Sequence, residues 1–211
     1  MSHPLQLWIT IPVKPLAEGK SRLASALSGD ERLALTRQLV QRTLDVVLSV
    51  AGVAGVLVIS RDPDVLGLAE RSGALVVQET AVNGTEKTRG QEWGLNRAIE
   101  QAAAFILGRG GDALLFLPTD LPLLQAAEID SIVRVWDQRR NCVVIAPSQS
   151  GGTNALLLSP PNAIAPAFGL GSFTRHVQLA QQRGLRVEVV ESPALAWDVD
   201  TPDEYRLLVT P

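Results

Sequence analysis

The chain has 211 residues, of which 46% are hydrophobic, 19% charged and 4% aromatic. This composition argues against disorder and is typical of one globular domain, which we expect to cover residues 1–211. A net charge of −3 argues against the basic surface that holds a nucleic-acid backbone, and a single cysteine, Cys142, excludes an internal disulfide framework.

The first half of the chain alternates short apolar runs with longer amphipathic ones. Ser28 and Glu31 have the spacing of a capping box, which predicts a helix that begins there. Four apolar residues at helical spacing behind it form the predicted buried face: Leu33, Val40, Leu44 and Val47. Strands are predicted at 7–13, 56–60 and 74–77, and further helices at 63–72 and 95–107.

The second half continues the same alternation of strands and helices. Strands are predicted at 113–117, 142–146, 155–158 and 185–191, and helices at 126–136, at 172–183 and from Thr201 onwards. Strands that are apolar throughout are typical of a mostly parallel sheet that is covered by helices on both faces. The sequence therefore predicts an α/β fold.

The chain contains no convincing membrane or export signal. Its N-terminal residues, MSHPLQLW, lack a basic segment followed by a long apolar run, so we expect no signal peptide. The uncharged stretch at 46–60 contains Gly52 and Gly55 and is shorter than the ~20 residues that a spanning helix needs. The sequence therefore predicts a cytoplasmic protein that binds neither a membrane nor a nucleic acid.

Three cationic residues lie in the loop after the first predicted strand. Lys14, Lys20 and Arg22 fall within nine positions, with Gly19 among them. Lysine and arginine neutralise phosphate charge, and glycine permits a close approach of the backbone, so one interpretation is a polyphosphate clamp. A solvated basic loop is the alternative, and composition alone favours it. The G-x-x-x-x-G-K-[ST] pattern of a P-loop is absent.

Three acidic residues indicate a metal site. Asp120 follows the apolar strand 113–117, where an unpaired carboxylate is costly. Asp198 and Asp200 share one side of an extended segment, and they repel each other unless a cation lies between them. An Asx-turn at Asp120, and favourable placement of the other two acids before a helix, are the alternatives. A ligand set made only of oxygens favours Mg²⁺ over zinc.

Two segments rich in glycine and small polar residues could bind an anion. Residues 151–154 (GGTN) precede a strand, and residues 168–173 (FGLGSF) precede a helix whose N-terminal amides attract negative charge. Ordinary turn and capping chemistry is the alternative for either segment alone. His176 lies within the predicted helix, which favours a surface or packing role over catalysis.

In combination, these segments resemble the CofC/FbiD guanylyltransferases of deazaflavin-coenzyme biosynthesis. The resemblance runs nearly from end to end, and the order and number of its motifs make it specific. Its carriers are IPVKPLAEGKSRLA at 11–24, GLN at 94–96, LPTDLPLL at 117–124, GGTNALLL at 151–158, FGLGSF at 168–173 and DVDTPDE at 198–204.

The resemblance implies a Rossmann-like nucleotidyltransferase fold of the glycosyltransferase-A type, with a mostly parallel mixed sheet. It implies transfer of GMP from GTP to phosphoenolpyruvate or 2-phospho-L-lactate with release of pyrophosphate. 3-Phosphoglycerate is an alternative acceptor. A molybdopterin guanylyltransferase or a sugar-phosphate nucleotidyltransferase is less compatible, since those enzymes open with a G-x-G-T-R loop. A non-catalytic nucleotide-binding module, which binds without turnover, is the alternative from another class.

The resemblance also implies roles for individual residues. Catalysis would involve Lys20, Arg22 and Asp120, and Mg²⁺, expected as two ions, would be held by Asp120, Asp198 and Asp200. The acceptor acid would be bound by Thr153, Gly169 and Ser172. The nucleotide would contact Pro12, Val13, Lys14, Lys20, Arg22 and Asn96. Residues 86–93 are more charged than we expect of the family, so no guanine contact is assigned, and a homodimer is left open.

Overall fold

The computed structural model describes residues 5–80 and 91–209, apart from the side chains of 91–93 and 209. These residues form a seven-stranded sheet in the order β3-β2-β1-β4-β6-β5-β7. In this described part, β6 alone runs antiparallel to its neighbours, which confirms a mostly parallel mixed sheet. The strands are β1 (Leu7–Pro12), β2 (Gly55–Ser60), β3 (Leu75–Gln78), β4 (Ala113–Phe116), β5 (Cys142–Pro147), β6 (Thr153–Ser159) and β7 (Arg186–Val189).

Helices connect most of the strands. They are α1 (Gly29–Ser49), α2 (Pro63–Ser72), α3 (Gln91–Gly108), α4 (Ala126–Trp136), α5 (Ser172–Gln182), α6 (Pro193–Ala196) and α7 (Pro202–Val209), with short 3₁₀ segments at Leu16–Glu18 and Ser21–Ser25. The four-residue α6 was not predicted, because one turn carries no helical periodicity. Across both described ranges, none of the helices combines the length and the apolar character that crossing a membrane requires.

Two hydrophobic clusters cover the two faces of the sheet. Leu7, Ile9 and Ile11 of β1 pack with buried residues of α1, α2, α4 and α6. Trp8, between them in the sequence, packs on the opposite face with buried residues of α3 and α5. Successive side chains of a strand point to opposite faces, so one apolar strand supplies both clusters. This arrangement confirms the predicted α/β fold with helices on both faces.

The start of α1 is predicted correctly, but its buried face is shorter than expected. The Ser28 backbone N–H donates to the Glu31 carboxylate at 2.8 Å, and the Glu31 N–H donates to Ser28 Oγ at 3.3 Å, which confirms the capping box. The prediction for Leu33 is wrong, since this residue is 39% exposed and the buried residues of α1 begin at Thr36. A helix of 21 residues is about 31 Å long. The six-residue strand beneath it spans about 20 Å, so the first turns of α1 extend beyond the sheet.

Strand β6 begins two residues earlier than the apolar pattern predicts. Thr153 pairs with Pro147 of β5 across a register irregularity, and both Thr153 and Asn154 are buried. In the sequence, their polar side chains indicate a loop. The tertiary structure supplies hydrogen-bond partners for both of them, so they are accommodated in a buried strand.

Candidate active site

A cleft of about 770 Å³ opens at the carboxyl ends of β1, β2 and β4. This edge is where open α/β sheets bind ligands. Five of the six residues that were predicted to contact the nucleotide line the cleft: Pro12, Val13, Lys14, Lys20 and Arg22. Asp120 and Asp200 line the same cleft, so the structure brings the predicted cations together with two of the predicted metal ligands.

The loop after β1 is held against α1 and α2. A Cβ atom on Gly19 would lie 2.6 Å from Thr36 Oγ1, so only glycine lets the loop approach α1 this closely. The Leu16 N–H donates to Asp62 Oδ2 at 2.8 Å, and Leu23 is fully buried. Lys20 follows Gly19 in a left-handed conformation with φ 52°. Such a backbone is uncommon for lysine, and it persists only where the surroundings determine it.

Lys20 lies between two carboxylates from distant parts of the chain. Its Nζ is 3.1 Å from Asp120 Oδ2 and 3.1 Å from Asp200 Oδ1, and its side chain is only 8% exposed. Burial alone would lower the pKa of Lys20, but the attraction of Asp120 and Asp200 outweighs it and raises the pKa above its ordinary value. Arg22 Nη1 lies 3.4 Å from Asp200 Oδ2 and adds a second cation.

Asp198 lies in the electrostatic field of Asp120 and Asp200, and these three residues form the acidic cluster. Its Oδ1 accepts a hydrogen bond from Asn154 Nδ2 at 3.2 Å, and the neighbouring Val199 N–H donates to the Asp120 carbonyl at 3.0 Å. Burial is the largest effect on Asp198 and raises its pKa, and the negative charge of Asp120 raises it further. The hydrogen bond from Asn154 acts in the opposite direction and lowers it. The structure therefore brings the two acidic segments to one edge of the sheet.

Asp120 and Asp200 already lie on either side of a cation, the Lys20 ammonium. Among residues 5–80 and 91–209, no three histidine, cysteine or acidic side chains have the spacing of a ready-made metal site. Carboxylate oxygens of Asp120 and Asp200 nevertheless face one common positive charge. This donor set fits a hard divalent ion such as Mg²⁺, which prefers oxygen ligands. Asp120 and Asp200, with Asp198 beside them, are the residues that could hold it.

Lys14 is the third cation of this loop. Desolvation against its neighbours lowers the pKa of Lys14, although the residue as a whole is exposed. The charges of Asp200, Asp120 and Glu18 act in the opposite direction. Lys14 is therefore within electrostatic reach of the acidic cluster, at the mouth of the cleft that it lines.

A second polar group forms where β6 and α5 begin. Thr153 and Ser172 are both buried, and Ser172 Oγ donates to Thr153 Oγ1 at 3.1 Å. Gly169 joins through its carbonyl, which accepts the Ser172 N–H at 3.0 Å, and its φ of 123° is one that favours glycine. The structure therefore brings together the three residues predicted to bind the acceptor. Asn154 connects them to the acidic cluster, since it follows Thr153 and donates to Asp198.

His176 completes this second group, and the sequence reasoning did not assign it to the site. The ring is fully buried, so the surface role that we considered is wrong. Nδ1 lies 3.1 Å from Thr153 Oγ1, and Nε2 accepts the Ala167 N–H at 2.9 Å. His176 follows Ser172 by four residues, which places both on one face of α5. That spacing is the signal in the sequence that could have found it.

Asn96 contacts the loop before α5 instead of facing an open site. Its Oδ1 accepts the Phe168 N–H at 2.8 Å, and its Nδ2 lies 3.4 Å from the Phe168 carbonyl oxygen. A contact of Asn96 with the nucleotide stays a prediction. The charged stretch at 86–93 lies outside the described residues, apart from the backbone of 91–93 at the start of α3.

Burial of His176 predicts a loss of stability in acid. Burial, together with the nearby Arg175 charge, lowers the pKa of His176 from 6.5 to about 4. The unfolded chain therefore takes up a proton below pH 6.5 that the folded chain does not bind until about pH 4, and the stability from neutral His176 disappears as the pH falls through this interval. Between pH 7 and 4.5 the loss amounts to about 2 kcal/mol. Urea unfolding at pH 7 and pH 4.5 measures the free energy of unfolding. It should fall further in the wild type than in His176→Asn, by about that amount; equal falls would contradict the buried neutral ring.

Comparison with known proteins relates nearly the whole chain to one family. A family model described as "Guanylyl transferase CofC like" matches residues 7–209. The phosphoenolpyruvate guanylyltransferase of Rubrobacter xylanophilus is 39% identical over 97% of this chain and 94% of its own length. The 2-phospho-L-lactate guanylyltransferase of Methanothermobacter thermautotrophicus is 36% identical over 92% of this chain and 80% of its own. The 3-phospho-D-glycerate guanylyltransferase of Colwellia psychrerythraea is 32% identical over 95% and 90%.

Solved structures with low sequence identity share the fold. A candidate nucleotide-diphospho-sugar transferase from Desulfovibrio desulfuricans superposes with a TM-score of 0.74 at 16% identity, over 97% of this chain and 86% of its own. A nucleotidyl transferase from Methanothermobacter thermautotrophicus superposes with a TM-score of 0.64, also at 16% identity, over 96% and 95%. These similarities confirm that the fold is of the nucleotidyltransferase type.

Proposed function

The chain belongs to the CofC-like guanylyl transferase family, and on that premise we propose that it transfers GMP from GTP to phosphoenolpyruvate and releases pyrophosphate. We propose this reaction as a step in deazaflavin-coenzyme synthesis. The observation that carries the proposal is the buried Lys20 ammonium between Asp120 and Asp200 in the cleft. Phosphoenolpyruvate is the chosen acceptor because relatives with 39% identity over at least 94% of this chain carry that name.

The chemistry of the reaction matches the residues in the cleft. A phosphate oxygen of the acceptor attacks the α-phosphorus of GTP, the bond from that phosphorus to the bridging oxygen breaks, and pyrophosphate leaves. The attacking oxygen is already ionised at neutral pH, so the reaction needs no general base. It needs neutralisation of charge, because one anion attacks another. Lys14, Lys20 and Arg22 supply positive charge along the wall that would face the triphosphate.

The acidic residues have the complementary task. Asp120, Asp198 and Asp200 would hold Mg²⁺, expected as two ions, which when bound supplies charge neutralisation at the phosphates. Asn154 restrains Asp198 by its hydrogen bond, and the backbone bond from Val199 to Asp120 keeps the two acidic segments in fixed register. Prepositioned charges of this kind stabilise a transition state without reorganisation during the reaction.

Pyrophosphate release tests the proposal directly. The purified chain is incubated with GTP, Mg²⁺ and, in parallel, phosphoenolpyruvate, 2-phospho-L-lactate or 3-phosphoglycerate. We expect the highest kcat/KM with phosphoenolpyruvate, and a diphosphate-bridged guanylyl product by mass spectrometry. A higher kcat/KM with another acid would replace the acceptor but keep the chemistry. Binding of GTP without pyrophosphate from any acceptor would refute the enzyme and leave a nucleotide-binding module.

Replacement of Ser172 by alanine should weaken acceptor binding selectively. Ser172 Oγ donates to Thr153 Oγ1 and so helps to orient the hydroxyl that would bind the acceptor. If the acceptor loses the equivalent of one hydrogen bond, about 1 kcal/mol, its KM should rise about fivefold. The KM for GTP should change less than twofold. Ser131→Ala on α4 is the matched control, because Ser131 Oγ donates to the Glu128 carbonyl within its own helix. A parallel rise of both KM values in Ser172→Ala would place Ser172 outside the acceptor site.

A further inference from the structure

A continuous hydrogen-bond chain connects the loop before α5 with the start of β6. The Ala167 N–H donates to His176 Nε2 at 2.9 Å, and His176 Nδ1 lies 3.1 Å from Thr153 Oγ1. Ser172 Oγ donates to the same Thr153 oxygen at 3.1 Å. His176 is fully buried, Ser172 is 1% exposed and Thr153 is 6% exposed.

The backbone partner determines where the proton of the ring lies. A backbone N–H can only donate, so Nε2 of His176 must carry a lone pair. A neutral imidazole has one N–H, which must therefore be on Nδ1 and must donate to Thr153 Oγ1. Burial, which lowers the pKa of His176 to about 4, keeps the ring neutral near pH 7.

The two incoming bonds determine the direction of the Thr153 proton. A hydroxyl oxygen has two lone pairs and one proton. His176 and Ser172 occupy both lone pairs of Thr153 Oγ1, so its own proton points in a third direction and is available to donate. Thr153 thereby becomes a hydroxyl that can donate to a ligand but cannot accept from one.

We propose that His176 is a positioning residue that makes Thr153 an obligate hydrogen-bond donor to an anionic oxygen of the acceptor acid. The inference rests on the proposed function, since it takes the group at β6 and α5 as the acceptor site. Ionised phosphate and carboxylate oxygens only accept hydrogen bonds, and a bond to a charged oxygen is stronger than one to an alcohol, so a hydroxyl that only donates favours them. The same ring holds Ala167, and therefore the loop that carries Gly169, in a fixed position.

The proton position is measurable in the wild-type protein. ¹⁵N NMR of histidine-labelled chain at pH 7 separates the two neutral tautomers, because the protonated and unprotonated ring nitrogens differ widely in chemical shift. The expected result for His176 is a proton on Nδ1 and a bare Nε2. A proton on Nε2, or a cationic ring, would overturn the inference. This experiment needs neither GTP nor an acceptor, so its result is independent of whether the proposed reaction occurs.

Two substitutions separate positioning from packing. In His176→Asn the amide replaces the Nδ1 donor, and in His176→Gln the amide oxygen replaces the Nε2 acceptor but the donor to Thr153 is lost. We expect the acceptor KM to rise about tenfold in His176→Gln and less than threefold in His176→Asn, with the GTP KM unchanged in both. Gln178→Asn, on an exposed position of α5, controls for general effects on the helix. Equal effects of both His176 substitutions, or equal effects on both substrates, would reduce His176 to a packing residue.

A double-mutant cycle tests whether His176 acts through Thr153. In a Thr153→Val background the hydroxyl is absent, so His176→Gln should raise the acceptor KM by less than a further twofold. A full tenfold rise in that background would mean that His176 acts by another route, and would overturn the proposal. If wild-type chain forms no pyrophosphate with any acceptor, the proposed function fails. The same four variants can then be compared by hydrogen exchange, which measures how strongly the acceptor protects the backbone amides around Thr153.

Discussion

Replacement of Asp120 by asparagine is expected to lower kcat for guanylyl transfer by a factor of about 10³ or more. Asn has the size of Asp, and the backbone bond from the Val199 N–H to the Asp120 carbonyl is independent of the side chain, so the fold should survive. The substitution removes a carboxylate that contacts Lys20 at 3.1 Å and that would bind Mg²⁺. A loss of this size corresponds to about 4 kcal/mol of transition-state stabilisation, which is the scale expected for a metal ligand.

The measurement is steady-state release of pyrophosphate across a range of Mg²⁺ concentrations, together with circular dichroism to check the fold. In Asp120→Asn the Mg²⁺ concentration at half-maximal rate should also rise. Asp130→Asn makes the same chemical change at an exposed position of α4, and it should leave both quantities within twofold of the wild type. Activity of Asp120→Asn within threefold of the wild type would remove Asp120 from the metal site and from the catalytic machinery.

Lys20→Met should lower kcat by about 10²-fold or more, because it removes a positioned charge from the wall that would face the departing pyrophosphate.

The same substitution should also destabilise the protein when no divalent ion is present. Without the ammonium, Asp120 and Asp200 face each other with no cation between them. Loss of one partner from a buried ion pair is costly, but Asp200 is 37% exposed, so we expect about 1–3 kcal/mol.

The response to Mg²⁺ distinguishes this explanation from simple loss of packing. Because Lys20 and a metal ion would share the same carboxylate oxygens, Mg²⁺ should raise the melting temperature of Lys20→Met more than that of the wild type. Arg134→Met removes an exposed cation from α4 and should respond as the wild type does. Equal shifts in Lys20→Met and wild type would show that the ammonium and the metal do not compete for one site.

Most elements of the fold were predictable because their signals are local. Helix α4 begins and ends as predicted, since its apolar residues repeat at helical spacing. Helix α2 covers the predicted residues 63–72; the Asp62 side chain accepts the Asp64 N–H at its start, and Gly73, with φ 100°, follows its end. Leu33 and the first residues of β6 were predicted wrongly for a different reason. Whether Leu33 is covered depends on the lengths of other elements, and whether Thr153 belongs to a strand depends on partners far away in the sequence.

Several residues of the candidate site were found from the sequence, but the contacts between them were not. The acidic and cationic residues were identified from motifs that follow strands, and the structure does bring Lys20, Asp120 and Asp200 together. The contact of Lys20 with the triphosphate stays a prediction, and the ion pairs of its ammonium with Asp120 and Asp200 were not predicted. No local pattern encodes a contact between residues 100 and 180 positions apart. The role of His176 was missed because its partners Thr153 and Ala167 are defined only by packing, although its spacing from Ser172 places both residues on one face of α5.

Taken alone, the sequence determined the layered α/β architecture, the caps and the chemical types of residue at the strand ends, because periodicity, propensity and charge act over a few neighbouring positions. Only the tertiary structure decided which charge neutralises which, and where the Thr153 proton points. Those outcomes depend on distances of about 3 Å between segments that are remote in the chain, and such distances exist only after the sheet has assembled.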